Sequence, residues 1–300
     1  MKKTLVLLCV MLLATLATAQ AEQRLKPFVL ASVEKADYAQ TVADTKQKLM
    51  DAGFTVVGEY QPFGDNTVIV VTSPETLQIA AASKRGGYGA GQRIGVAKHG
   101  EEVEVSFANP EYFQYAYRLN GDMKPVAEKL KGALGHVRDF GAKEGMRPKK
   151  LKKYHYMFSM PYFDDPYELG EFDSHEAAVT ALEKRLATPN DAISTVYRID
   201  IPGEQQTVFG VQLKATNEDE KDLDEQFQLS VVDFESPSKI AYLPYEVMVN
   251  GNEVEALHMK FRMAVHFPDL PMMGKHGFTK LISAPGAIED ALEELVENHP

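Results

Sequence analysis

Cysteine is nearly absent from this 300-residue chain: there is one, Cys9, and there is no tryptophan. Cys9 sits in the apolar run Leu5 to Leu16, behind Lys2 and Lys3 and ahead of the small-residue stretch Ala19-Gln20-Ala21. That is the order of a secretory signal peptide. Cleavage is expected after Ala21, so residues 1–21 form a leader, the mature chain starts at Glu22 and its destination is the periplasm. Processing removes the only thiol, which excludes disulfides, thiolate nucleophiles and thiolate metal sites from the mature protein. No later stretch approaches the roughly 20 apolar residues that a membrane-spanning helix needs, so no membrane partner is expected once the leader is gone.

Positive charge is also scarce. Lys and Arg total 32 against 43 Asp and Glu, and loss of Lys2 and Lys3 takes the net charge from −11 to −13. Nucleic acid is therefore not an expected partner, because its binding depends on neutralising phosphates. No Gly-x-Ser-x-Gly, His-Glu-x-x-His or Cys-x-x-Cys motif occurs, so no hydrolase or redox signature is present. The glycine-rich run Arg85 to Gln92, RGGYGAGQ, follows a helical pattern and precedes a strand, the reverse of a phosphate-binding loop. A helix end and a flexible linker are expected there, and no cofactor.

What is present is β-structure. In residues 240 to 268, Tyr245, Val247 and Val249 alternate with polar neighbours, and Asn250-Gly251 lets the chain reverse into Val254 and Ala256, the pattern of a β-hairpin. From Leu257 the apolar parity becomes odd, through Met259, Phe261, Met263, Val265 and Phe267, which predicts a bulge near Ala256, or a second half of the strand that packs on something else. A weaker copy of the hairpin lies upstream, where Gly100, Glu102, Val103 and Glu104 match Gly251, Glu253, Val254 and Glu255 at an offset of 151. Helical anchors recur as well: Val42 and Leu49 match Val179 and Leu186, and Val126, Leu130 and Leu134 match Ile288, Leu292 and Val296. Further strands are expected at Tyr154 to Met160 and Gln226 to Phe234. The pattern predicts an α+β protein of two tandem repeats, each a mainly antiparallel sheet with helices on one face. The repeats span 22–141 and 154–300, with a polar linker at 142–153.

The run Thr41 to Phe54, and Leu243-Pro244-Tyr245-Glu246 followed by Gly251, Glu253-Val254 and Phe267-Pro268, resemble the bacterial family known as domain of unknown function 302. The first copy lacks the Leu-Pro and carries Arg93-Ile94 in its place. The resemblance implies a compact α+β domain whose single-copy relatives form homodimers, so two copies in one chain are expected to pack as a monomeric pseudo-dimer, or to build a homo-oligomer. It brings no activity and no catalytic residues.

Read as a strand, the segment after Ala256 places His258, Lys260, Arg262 and His266 on one face, a basic stripe on an acidic molecule. Those four residues are the expected site for a small anionic ligand, with charge-blunting of a strand edge as the alternative role. Met272, Met273 and His276, in a Pro- and Gly-rich turn, form a soft ligand set of the kind that holds copper, and methionine is equally common as core filler. The acidic run Glu218 to Glu225 is expected on the surface. The function expected is non-catalytic binding, with copper handling, or an enzyme with a site between the repeats, as the other readings.

Overall fold

Residues 23–188 and 192–296 are described by the structure, a computed structural model, so the expected leader lies outside the described residues. The first half runs β1 (Phe28–Lys35), α1 (Tyr38–Asp51), β2 (Thr55–Tyr60), β3 (Asn66–Thr72), α2 (Pro74–Ala81), β4 (Gln92–His99), β5 (Glu102–Ala108), α3 (Pro110–Ala116), α4 (Lys124–Leu134) and β6 (Arg138–Phe140). After α5 (Pro148–Leu151) the second half runs β7 (Tyr167–Glu171), α6 (His175–Ala187), β8 (Ile193–Asp200), β9 (Gln206–Leu213), α7 (Glu225–Val232), β10 (Tyr245–Asn250), β11 (Glu253–Ala256), α8 (Met259–His266) and α9 (Ala284–Glu293).

The expected α+β class is what the chain adopts, with two antiparallel sheets. Their strand orders are β2-β3-β4-β5-β1-β6 and, read from the corresponding edge, β8-β9-β10-β11-β7. In each half the second to fifth strands lie side by side, and the first closes against the fifth. The matched hairpins turn alike. His99 pairs with Glu102 and Asn250 with Glu253, and the turn glycines between them, Gly100 and Gly251, have φ of +63° and +67°. This left-handed backbone strains a side-chain-bearing residue, which is why glycine marks both turns.

Local chemistry sets the helices. Asp37 caps α1 by accepting from Gln40 N at 2.9 Å, and Val42 and Leu49 face inward. Ser73 and Thr76 form a reciprocal capping box on α2, with Pro74 in the first turn. Helices α1 and α4 cover one face of the first sheet, where Val42, Leu49, Val126 and Leu130 share a core with Ile94, Val96 and Phe107. The opposite face contributes Phe28, Leu30, Val68 and Val70 to a second core. That core continues through the second sheet to Leu182, Ile288 and Leu292 of α6 and α9.

Each half also covers the other's sheet. The short turn Ile240–Tyr242, just before β10, lies on β3, β4 and β5, so close that a Cβ at Gly95 would collide with Ile240. Reciprocally, the turn Gly86–Gly89, before β4, lies on β9 and β10, and Gly87 N–H donates to Gln206 Oε1 at 3.0 Å. The run expected to be a flexible linker is therefore buried from Gly86 to Gln92.

Two further expectations are corrected. Residues Tyr154 to Met160 form turns, and the strand comes later, as β7. Gln226 to Phe234 is not a strand: Asp224 accepts from Phe227 N at 2.9 Å and caps α7. In the stretch expected as a polar linker, 142–153, Met146 bridges to Leu25 and Leu151 of α5 is buried.

Candidate functional site

The segment after Ala256 folds as helix α8, not as the expected bulged strand, and this takes the basic stripe apart. Every α8 residue except Lys260 is buried, so apolar side chains are needed all round the helix and their spacing imitates strand alternation. His258 is the N-cap: its Nδ1 accepts from Lys260 N at 3.2 Å, and its ring stacks on Tyr167 at 4.4 Å. Burial, reinforced by the Lys260 ammonium, pushes this imidazole down to about 4. Arg262 and His266 follow at four-residue intervals on the same helix face, both with no exposed surface. Lys260 lies apart and lines an apolar recess. The four residues share no surface.

Arg262 and His266 instead enter a charged layer between the two sheets. On β4, Ile94 and Val96 face α1, so alternation turns Arg93 toward the second half. Arg93 Nη2 reaches His266 Nε2 at 3.2 Å, and Arg93 Nη1 lies 3.5 Å from both Glu246 Oε2 and the Tyr242 carbonyl. Tyr197 of β8 donates to Glu246 Oε1 at 2.6 Å. Arg262 Nη2 donates to the same Tyr242 carbonyl at 2.8 Å and to the carbonyl of Pro244. Its guanidinium is held between the rings of Tyr242 and Tyr245, at 4.6 and 4.4 Å from their centroids. Two guanidinium groups from different halves therefore converge on one carbonyl oxygen.

The histidine is neutral here. Its Nδ1 lies 2.8 Å from the Arg262 carbonyl, which can only accept, so Nδ1 carries the proton and Nε2 presents its lone pair to Arg93. Burial, and then the positive fields of Arg93 and Arg262, hold its pKa well below the usual value. Glu225 at the start of α7, expected on the surface, is 3% exposed, and Tyr60 donates to both of its oxygens at 3.3 and 3.2 Å. Burial pushes this carboxyl up to about 8. Arg262 Nε and Nη1 are buried without a protein partner, a situation that ordered water commonly relieves. The layer is closed on itself, and its contacts tie the halves together.

Space for a ligand lies elsewhere. A cleft of about 550 Å³ runs along the seam, between β6 with its following loop on one side and the segments after α7 and α8 on the other. Phe140, Val232, Phe234 and Phe267 form apolar wall, Lys26, Arg138, Lys143 and Lys239 supply cations, and Asp139, Glu235 and Asp269 supply carboxylates, of which Asp269 accepts from the Lys143 backbone N–H at 2.6 Å. Lys239 is paired with Asp233 at 3.1 Å. Among the described residues, Lys26, Arg138 and Lys143 make no ion pair. Phe267 and Leu270 also wall the neighbouring recess, which is lined by Tyr156, Met160, Lys260, Met263, Met272 and Phe278 and has room for about 20 Å³ as it stands.

The methionine–histidine turn does not assemble a common site. Met272 packs in the recess, Met273 is 78% exposed, and His276 uses Nδ1 on the Val231 carbonyl at 3.1 Å while stacking on Phe234 at 3.7 Å. Sequence reasoning missed Arg93, Glu246 and Tyr197 as members of the charged layer. The available signal was the break in the repeat, where at the hairpin offset of 151 Arg93 stands opposite Pro244. Comparison with family models, curated proteins and solved structures gave no match.

Proposed function

We propose that this is an exported, non-catalytic binding protein that takes a small organic anion in the seam cleft. The observation that carries the reading is the contrast between the cations. Arg85, Arg93 and Lys239 each pair with a carboxylate, whereas Lys26, Arg138 and Lys143 make no ion pair among the described residues and stand around a ligand-sized space that Asp139, Glu235 and Asp269 also line. A cleft of several hundred Å³ with apolar walls and a few charged groups is the usual form of a small-molecule site. The sequence expectation of an anionic ligand is kept, and its location moves from the α8 residues to the cleft.

Thermal shift of the mature protein against anionic metabolites, fatty acids and copper ions tests this. A stabilising anion whose effect disappears in Arg138→Ala/Lys143→Ala is the expected result. An anion effect untouched by that double variant, or a copper shift lost in His276→Ala with no anion effect, overturns it. Arg262→Ala is unsuitable, because that side chain is interior. Export is tested by the intact mass of the periplasmic product, which should begin at Glu22; a product retaining Cys9 removes the compartment from the proposal.

A further inference from the structure

We infer that the anion carries an aliphatic chain, making the ligand class a medium-chain carboxylate. The inference rests on the cleft reading and adds the chemistry of the part of the ligand that is not charged. The cleft and the apolar recess meet at Phe267 and Leu270, which wall both. A carboxylate held by Arg138 or Lys143 therefore has apolar surface continuing beyond the charged end, across Leu270 toward Met263 and Met272.

The lining of the recess suits a flexible chain of variable length. Met160, Met263 and Met272 are three of its walls, and methionine has three rotatable bonds and no branch, so it yields to an alkyl chain at little cost. The present room of about 20 Å³ is too small for a chain, and the walls must part as one enters. Met272 is the natural element to move, being only partly buried, on a loop outside any helix or strand. Lys260 at the same recess adds a second cation on the chain's path.

Isothermal titration of the mature wild-type protein with butyrate, octanoate and dodecanoate tests this. Each methylene transferred from water to an apolar wall contributes about 0.8 kcal/mol, so affinity should tighten about threefold to fourfold per added methylene until the recess is filled. Met272→Asp should weaken dodecanoate at least about tenfold and leave butyrate unchanged. Equal affinities for all three carboxylates, each lost in Arg138→Ala/Lys143→Ala, overturn the chain and leave the cleft standing. Affinities for all three carboxylates that are undiminished in the double variant overturn both.

Discussion

Glu104 on β5 and Glu255 on β11 occupy matching places in the two hairpins, and each is buried under the segment that precedes the other half's hairpin. Glu104 accepts from Ser238 N at 2.9 Å and from the Ser236 hydroxyl, whereas Glu255 accepts Arg85 Nε at 2.8 and 3.0 Å. The partners differ, but the device is the same: a carboxylate on the inner face of one sheet fixes a connecting segment of the opposite half.

This exchange is the basis for proposing that the halves pack as a pseudo-dimer. Separate chains divided between Ala142 and Lys153 should each be largely unfolded, because each sheet would lose the turn that covers it. Mixing them should restore the native circular dichroism and elution volume. Two halves that fold alone at full stability and do not associate would contradict the arrangement.

The Arg93–Glu246 contact should behave as a coupled buried pair. Arg93→Met leaves Glu246 with Tyr197 alone and removes the donor to His266, an expected loss of about 3–5 kcal/mol. Changing Glu246 to Leu in the Arg93→Met background should cost much less than the same change in the wild type. A double-mutant cycle by urea denaturation should give a coupling energy above about 1 kcal/mol; additive losses would show that the pair contributes nothing as a pair.

Glu225 predicts a pH dependence of definite sign. Its ordinary value is 4.5 and its native value is about 8, so between those limits the native state keeps a proton that the unfolded chain has released. Stability is lost as pH rises through this window, at up to about 1.4 kcal/mol per pH unit. Glu225→Gln cannot ionise and should lose this slope, so its stability relative to wild type should improve from pH 5 to pH 8 by about 2–4 kcal/mol. An unchanged difference in urea midpoints would mean that the carboxyl is already charged.

His266 acts in the opposite direction. The unfolded chain takes up a proton near pH 6.5 and the native imidazole does not, so its contribution is full above that pH and is lost as pH falls below it. Replacing His266 by Gln should flatten the decline between pH 6.5 and 5, read as the change of urea midpoint with pH.

The sequence alone determined whatever depends on neighbours along the chain. Val42 and Leu49 marked the buried side of the first helix and Gly100 and Gly251 the two turns, because helical spacing and left-handed backbone are local requirements, and the caps Asp37 and Ser73 are local signals of the same kind. Helix α8 was not legible in this way. Surrounded on every side, it needs apolar residues all round, and Met259, Phe261, Met263 and Val265 then read as an alternating strand. Helix α7 carried its signal in the Asp224 cap, but Phe227, Leu229 and Val231 after it likewise alternate. What only the tertiary structure decided is which charges meet: Arg93 and His266 are 173 positions apart, and no local rule relates them. Their contact follows from the facing of two sheets, and the same packing opens the seam where Lys26, Arg138 and Lys143 gather.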